Sequence, residues 1–303
     1  MPEWSAEVVV DEPLARGLLG QFPELEVHSL RPFTEGWDYA IWVVNEEWAF
    51  RFPRRAIAVP GVEVEISALP VLAPLLPLPV PAPAFVGSPT EQFPWPFYGS
   101  GLLPGRELTT LELDDRARVR IGQALARFLR RLHEVQLELE LPTDSNRRAN
   151  MSVRVPKTRA QLAELEALGN WRRSREVEQV LETAEALPPP RFSAIVHGDL
   201  HVRQVLADDE LAVTGVIDWV DVCRSDPAID LSMFWSFVPP EGRRAVLGAY
   251  GAVTPDQLLR ARVVALSLGA ALAAYGHVER NRAVEREALN GLERAMVDFD
   301  LGA

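Results

Sequence analysis

Among 303 residues only Cys223 is a cysteine and only Lys157 is a lysine. One thiol excludes an internal disulfide framework and fits a reducing compartment, so a cytoplasmic protein is expected. Every other cation among the 31 basic residues is an arginine, a planar donor that prefers two-pronged contacts. Long hydrophobic runs are also missing. The longest apolar helix candidate, Val263 to Gly276, interrupted by Ser267, falls short of the roughly 20 residues of a membrane span. A buried helix is expected there. The opening Met-Pro-Glu-Trp-Ser-Ala-Glu has no basic stretch leading into an apolar core, so no signal peptide is expected. Positive charge is in deficit, with a formal net charge of −12. That balance disfavours nucleic acid and anionic membranes as partners. Neither repeats nor low-complexity segments are present.

The remaining composition is that of a globular chain, 48% hydrophobic and 24% charged. The length allows one large domain or two lobes. Residues 26–52 read as strands. Tyr39–Val44 and Trp48–Phe52 flank Asn45-Glu46-Glu47, which can turn a hairpin. Residues 61–72 read as a helix with Val62, Ile66, Leu69 and Leu72 on one face, although Pro70 is expected to kink or shorten it. A proline-dense stretch, Pro74 to Pro83, excludes regular structure. Residues 84–86 and 97–103 read as further strands. The first hundred residues are thus a sheet with about one helix.

Pro104-Gly105 breaks this pattern. The expected division is residues 1–103, with a hinge at about 98–103, and residues 104–303. From Asp114 the chain is mostly helical. Ile121, Leu125, Phe128, Leu129 and Leu132 form an apolar face ending near His133. One or two charged helices are expected over 158–187, within a helical insert at 141–190. Further helices are expected near 228–237, 241–250, 255–276 and 279–298.

Chemistry concentrates in residues 196–231. His197-Gly198-Asp199-Leu200-His201 precedes the apolar run Val205-Leu206. Asp208-Asp209 can turn the chain, and Val213, Val216 and Ile217 lead to Asp218. Such a hairpin can bring Asp199 and Asp218 to one end of a sheet. Two carboxylates there suit one proton acceptor and one cation ligand. Asp226-Pro227-Ala228-Ile229-Asp230-Leu231 closes the stretch, with Asp226 expected as helix N-cap and Pro227 in the first turn.

These three pieces, in this order and spacing, resemble the aminoglycoside phosphotransferase-like kinases, small-molecule kinases of the protein-kinase-like fold. The resemblance implies an α+β, two-lobe fold with an antiparallel-sheet N-terminal lobe, which binds nucleotide, and a mainly helical C-terminal lobe. It implies transfer of the γ-phosphate of ATP or GTP to a hydroxyl of a small molecule, with Mg²⁺ as cofactor. Asp199 then receives or orients the hydroxyl proton, and Asp218 holds Mg²⁺. Gln204 replaces the Asn usually found as second metal ligand, and its extra methylene moves the amide oxygen by roughly 1.5 Å. His197 becomes a structural residue with Asp230 as partner. Arg51 stands where protein kinases carry a phosphate-contacting lysine, with Glu65 as its acid and Glu63 as fallback. Gly36, in Thr34-Glu35-Gly36-Trp37-Asp38, covers the phosphates, and Ser100 and Leu102 lie in the nucleotide hinge. Trp219 and Asp221 border the substrate pocket. Two alternatives stay open: a catalytically weak nucleotide-binding module, motivated by Gln204 and the glycine-poor loop, and a metal-dependent hydrolase built on His197, Asp199 and His201.

Overall fold

The computed structural model describes residues 6–35 and 38–297. The chain forms two compact units. One comprises Met1–Leu75, Pro79–Pro104 and Val216–Asp221, the other Leu76–Leu78, Gly105–Gly215 and Val222–Ala303.

The first unit opens with α1 (Glu12–Leu19). Asp11 caps it, its Oδ1 accepting from Leu14 N at 3.0 Å. This helix is absent from the sequence expectation. Eight residues are too few to display a periodic face, although the Asp-Glu-Pro start signal is present. Next come β1 (Leu30–Glu35), β2 (Tyr39–Val44), β3 (Trp48–Pro53), α2 (Val59–Leu72), β4 (Pro83–Gly87) and β5 (Phe97–Gly101). The strands make one antiparallel sheet in the order β1-β2-β3-β5-β4. Asn45 and Glu46, with φ of 56° and 54°, form the tight β2–β3 turn. Register places Arg51 of β3 opposite Ile41 on one side and Tyr98 on the other. Phe50, Phe52, Phe93 and Phe97 are fully buried beneath the sheet. A Cβ on Gly99 would come within 2.5 Å of the Phe50 ring, so the close approach requires glycine there. α2 runs past Pro70 to Leu72. The expected shortening does not occur, because a proline in the last turn removes a single backbone bond.

The second unit holds β6 (Arg106–Glu107), α3 (Asp115–His133), α4 (Met151–Ala167), α5 (Arg175–Glu185), β7 (Ala194–Val196), β8 (Val205–Ala207) and β9 (Val213–Val216), whose last residue passes into the first unit. β10 (Cys223–Ser225), α6 (Ala228–Ser236), α7 (Arg243–Tyr250), α8 (Pro255–Val278) and α9 (Arg282–Met296) complete it. β6, β8 and β9 form one small sheet, β7 and β10 another. The expected β8–β9 hairpin is present. Asp208 N donates to Ala212 O at 3.0 Å and Asp208 Oδ1 accepts from Ala212 N at 2.9 Å. α4 starts earlier than the expected residue 158, capped by Asn150. Pro156 inside it obscures the helical signal in the sequence.

α8 falls where a buried helix near 255–276 is expected. It spans 24 residues, because Thr254 and Gln257 form a capping box ahead of the apolar run. By length and composition this helix, and the helical run Ala56–Leu75, could cross a membrane. The apolar window of α8 is 67% buried within the protein, where it packs on α4, α6 and α9. An all-round apolar helix is what such a central position requires. The Ala56–Leu75 window is 33% buried, and α2 packs on β4 and β5.

Candidate active site

In the second unit, the loop from His197 to Gln204 connects β7 to β8. Its anchor is Asp230, in the first turn of α6 and fully buried. Asp230 Oδ2 accepts from His197 N at 2.8 Å, and Oδ1 accepts from Gly198 N at 3.0 Å. The Nε2 of His133 lies 3.0 Å from Asp230 Oδ2. The other ring nitrogen, Nδ1, lies 2.9 Å from the Tyr250 hydroxyl. With Nε2 donating to the carboxylate, the imidazole joins Asp230 to the Tyr250 hydroxyl. Burial alone would raise Asp230. The His133 hydrogen bond and charge, then the His197 charge and amide, outweigh it and hold the carboxyl below its ordinary value. The His197 backbone N–H is thus one donor to Asp230. The ring bound to Asp230 is that of His133 at the end of α3, which sequence reasoning noted only as the end of an apolar face.

Gly198, at φ 91°, makes the left-handed step into Asp199. Asp199 Oδ1 is 3.0 Å from Arg148 Nη2, and its side chain keeps 24% exposure. His201 Nε2 stands 3.9 Å from Asp199 Oδ2. Among the described residues no three His, Cys, Asp or Glu side chains are grouped to hold a metal ion. The His197-Asp199-His201 set therefore lacks the convergence a zinc-type centre requires. Gln204 is buried, its N–H donating to His201 O at 3.0 Å.

In the first unit three ionic residues meet. Arg51 Nη1 is 3.4 Å from Glu65 Oε1, and Arg51 Nη2 is 2.5 Å from Asp218 Oδ1. The Tyr39 ring lies under the guanidinium, 4.0 Å from centroid to Cζ, an arrangement open to a planar cation. Glu65 Oε1 also accepts from Trp219 N at 2.9 Å. Burial pushes the Glu65 carboxyl up to about 7, against the pull of Arg51 and with repulsion from Asp218. Glu65 is the partner; the fallback Glu63 is exposed. Asp218 adopts φ 69°, a left-handed conformation that costs on the order of 1 kcal/mol for a residue with a Cβ.

Other expected positions differ. Trp219 is fully buried, its Nε1 donating to Val216 O at 2.9 Å, so it is a packing residue and not a pocket border. Ser100 is buried on β5, and Leu102 N donates to Glu47 O at 2.7 Å. Gly36 lies outside the described residues. Asp226 Oδ1 accepts from Ala228 N at 3.0 Å. Pro227, not Asp226, occupies the capping position of α6. Arg148 and Tyr39 carried no sequence signal. Each is recruited by contact across the fold.

A sequence profile described as the phosphotransferase enzyme family matches residues 29–262. The chain belongs to the phosphotransferase enzyme family. Within that family its α+β fold is the protein-kinase-like one, an antiparallel sheet followed by a helical remainder. Aminoglycoside 2'-phosphotransferase-IIIa in its GDP complex superposes with a TM-score of 0.67 at 21% identity, covering 94% of this chain and 99% of that one. Macrolide 2'-phosphotransferase MphH of Brachybacterium faecium gives 0.60 at 22% identity, covering 91% and 96%. An ADP-bound aminoglycoside phosphotransferase gives 0.57 at 18% identity, covering 94% and 99%. By sequence, 45 residues are 42% identical to the uncharacterized protein YcbJ of Bacillus subtilis (strain 168), a match spanning 15% of each chain.

Proposed function

We propose that this chain transfers the γ-phosphate of ATP or GTP to a hydroxyl of a small molecule. The observation that carries this reading is the Arg51–Glu65–Asp218 cluster, a basic residue and two carboxylates lying inside the matched family region. Arg51 contacts the nucleotide phosphates through its planar donors, and Glu65 and the Tyr39 ring hold it for that contact. Gly36 covers the phosphates, and Ser100 and Leu102 border the base. Asp199 takes the proton of the acceptor hydroxyl. The acceptor oxygen bonds to phosphorus as the bond to the leaving nucleoside diphosphate breaks, and the bond pair departs with that group. Asp230, through the His197 and Gly198 amides, fixes the position of Asp199. Positioning of this kind supplies a large share of such catalysis.

Mg²⁺ is the implied cofactor. Asp218, whose side chain is 36% exposed, offers carboxylate oxygen and Gln204 offers amide oxygen, the donors a hard cation takes. When bound, the ion supplies charge neutralisation on the phosphates. The single cysteine, Cys223, is buried and in no disulfide, which supports a cytoplasmic setting. No nucleic acid or membrane partner belongs to this reading.

The decisive experiment is nucleotide turnover with an acceptor library, comparing wild type with Asp199→Asn. The variant is expected to retain nucleotide binding and lose roughly 10²-fold or more in transfer, the scale of a general base. Turnover near wild type in the variant would remove Asp199 from the mechanism. The close Arg51–Asp218 pair favours one second reading, a nucleotide-binding module of weak activity, since that contact engages the metal carboxylate. Nucleotide binding without turnover, with and without Mg²⁺, would select it.

A further inference from the structure

Arg148, Arg154 and Lys157 gather basic charge at the start of α4 in a chain of net charge −12. The segment leading into α4 is tightly built. Asp144 accepts from Arg148 N at 2.8 Å and from Ala149 N at 2.7 Å. Arg147 turns the chain at φ 51°. This construction holds Arg148, whose Nη2 reaches Asp199 Oδ1 at 3.0 Å. One turn into α4 stands Arg154, only 4% exposed. Its Nη1 donates to Ser267 Oγ at 3.3 Å and its Nη2 to Asn146 O at 3.1 Å. Its Nε is buried without a hydrogen-bond partner. Three residues further along the same helical face is Lys157, exposed and the only lysine of the chain.

The three cations feel one another. Burial, then repulsion from Arg148, lowers Arg154 to about 10, and Asp144 and Asp199 offset only part of this. Burial, then Arg154 and Arg148, lower Lys157. Arg154 thus feels Arg148 as well as the carboxylates Asp144 and Asp199. Like charges gathered at a partly buried place cost free energy unless a counter-charge joins them. Asp144 is occupied by the backbone amides of its own loop, and Asp199 is the proposed base.

We infer that the acceptor of this phosphotransferase is a small hydroxylated anion whose carboxylate or phosphate group is held by Arg148 and Lys157, beside the buried charge of Arg154, while its hydroxyl faces Asp199. The inference rests on the phosphotransfer reading and names its substrate class. Arg148 anchors the anionic group next to the base, and Lys157 is the specificity residue at the exposed end of the cluster. A polycation such as kanamycin, which one fold relative binds, meets like charge at this place.

The test uses the full chain and four probes: gluconate, 6-phosphogluconate, uncharged glucitol and kanamycin. Binding is measured by calorimetry in low salt, and phosphorylation by nucleoside diphosphate release. Gluconate or 6-phosphogluconate is expected to bind at least tenfold more tightly than glucitol, and the stronger of the two separates a carboxylate site from a phosphate site. Lys157→Glu is expected to weaken that binding at least tenfold and to raise KM more than it lowers kcat, and Lys157→Arg is expected to restore it. The position is exposed, so the fold survives the change. Equal binding of glucitol, preference for kanamycin, or an unaltered K157E variant overturns the inference. Acceptor-free nucleotide turnover in wild type reports separately on the phosphotransfer reading. Anion binding without turnover would therefore retain the anion site and remove the reaction.

Discussion

His133 and Asp230, 97 residues apart, meet at 3.0 Å in the core of the second unit, and the same carboxylate holds the His197 and Gly198 amides. One fully buried side chain thus joins the end of α3, the start of α6 and the loop that carries Asp199. The proposed catalytic loop is therefore fixed by a structural carboxylate, and its stability depends on that group's charge.

Asp230→Ala leaves two buried N–H groups and an imidazole without their acceptor. A loss of about 3–5 kcal/mol is expected, the range for breaking a buried charged contact. Urea denaturation measures it, and a loss below about 1 kcal/mol would contradict the anchor role. The pH dependence has a definite sign. The Asp230 carboxyl is held below its ordinary 3.8 in the folded protein. Its stabilisation is complete above that value and disappears as pH falls through the depressed one. The stability gap between wild type and Asp230→Asn should be constant through neutral pH and narrow only in acid.

Glu65 behaves in the opposite sense. Its carboxyl is raised from 4.5 to about 7, so between those values the folded state keeps a proton that the unfolded chain has lost. Wild type should therefore lose stability relative to Glu65→Gln as pH rises from about 5 to 8. Melts of both proteins at the two ends of that range provide the comparison. A gap that stays flat would mean that Glu65 titrates normally despite its burial.

Asp218→Ala should abolish the Mg²⁺-dependent tightening of nucleotide binding, since the ion loses its carboxylate ligand. Calorimetric titrations with and without Mg²⁺ decide this. Persistent tightening in the variant would assign the metal elsewhere. The variant also releases Arg51 from its 2.5 Å contact, so metal-free nucleotide binding is expected to be retained or strengthened.

Gln204→Asn tests the departure from the usual pattern. Gln204 is buried at 7% exposure, with its backbone tied to His201 O. A side chain packed to that degree fits the site it occupies. Shortening it should withdraw the amide oxygen and lower turnover, with a higher Mg²⁺ requirement. A rise in turnover would show a compromised ligand, and no change in a Mg²⁺ series would show that it does not bind metal.

Local pattern was enough for the β2–β3 and β8–β9 hairpins and for α3, and the family resemblance suggested the pairing of Arg51 with Glu65 over Glu63. Turn residues, a period of two or of 3.6, and which face of a short helix is apolar are all encoded within a few residues. The family resemblance of residues 196–231 pointed to Asp199, Asp218 and Asp230, because their spacing is part of one continuous motif. It could not say that the His133 ring meets Asp230, that Trp219 is buried, or that Arg148 reaches Asp199. A carboxylate accepts from whichever donor the docked elements bring within about 3 Å, and docking depends on the packing of whole helices, not on their own residue patterns. α1 and the true start of α4 were missed for a related reason: a short helix and a helix interrupted by Pro156 have weak signals of their own and are held by the surfaces they pack against.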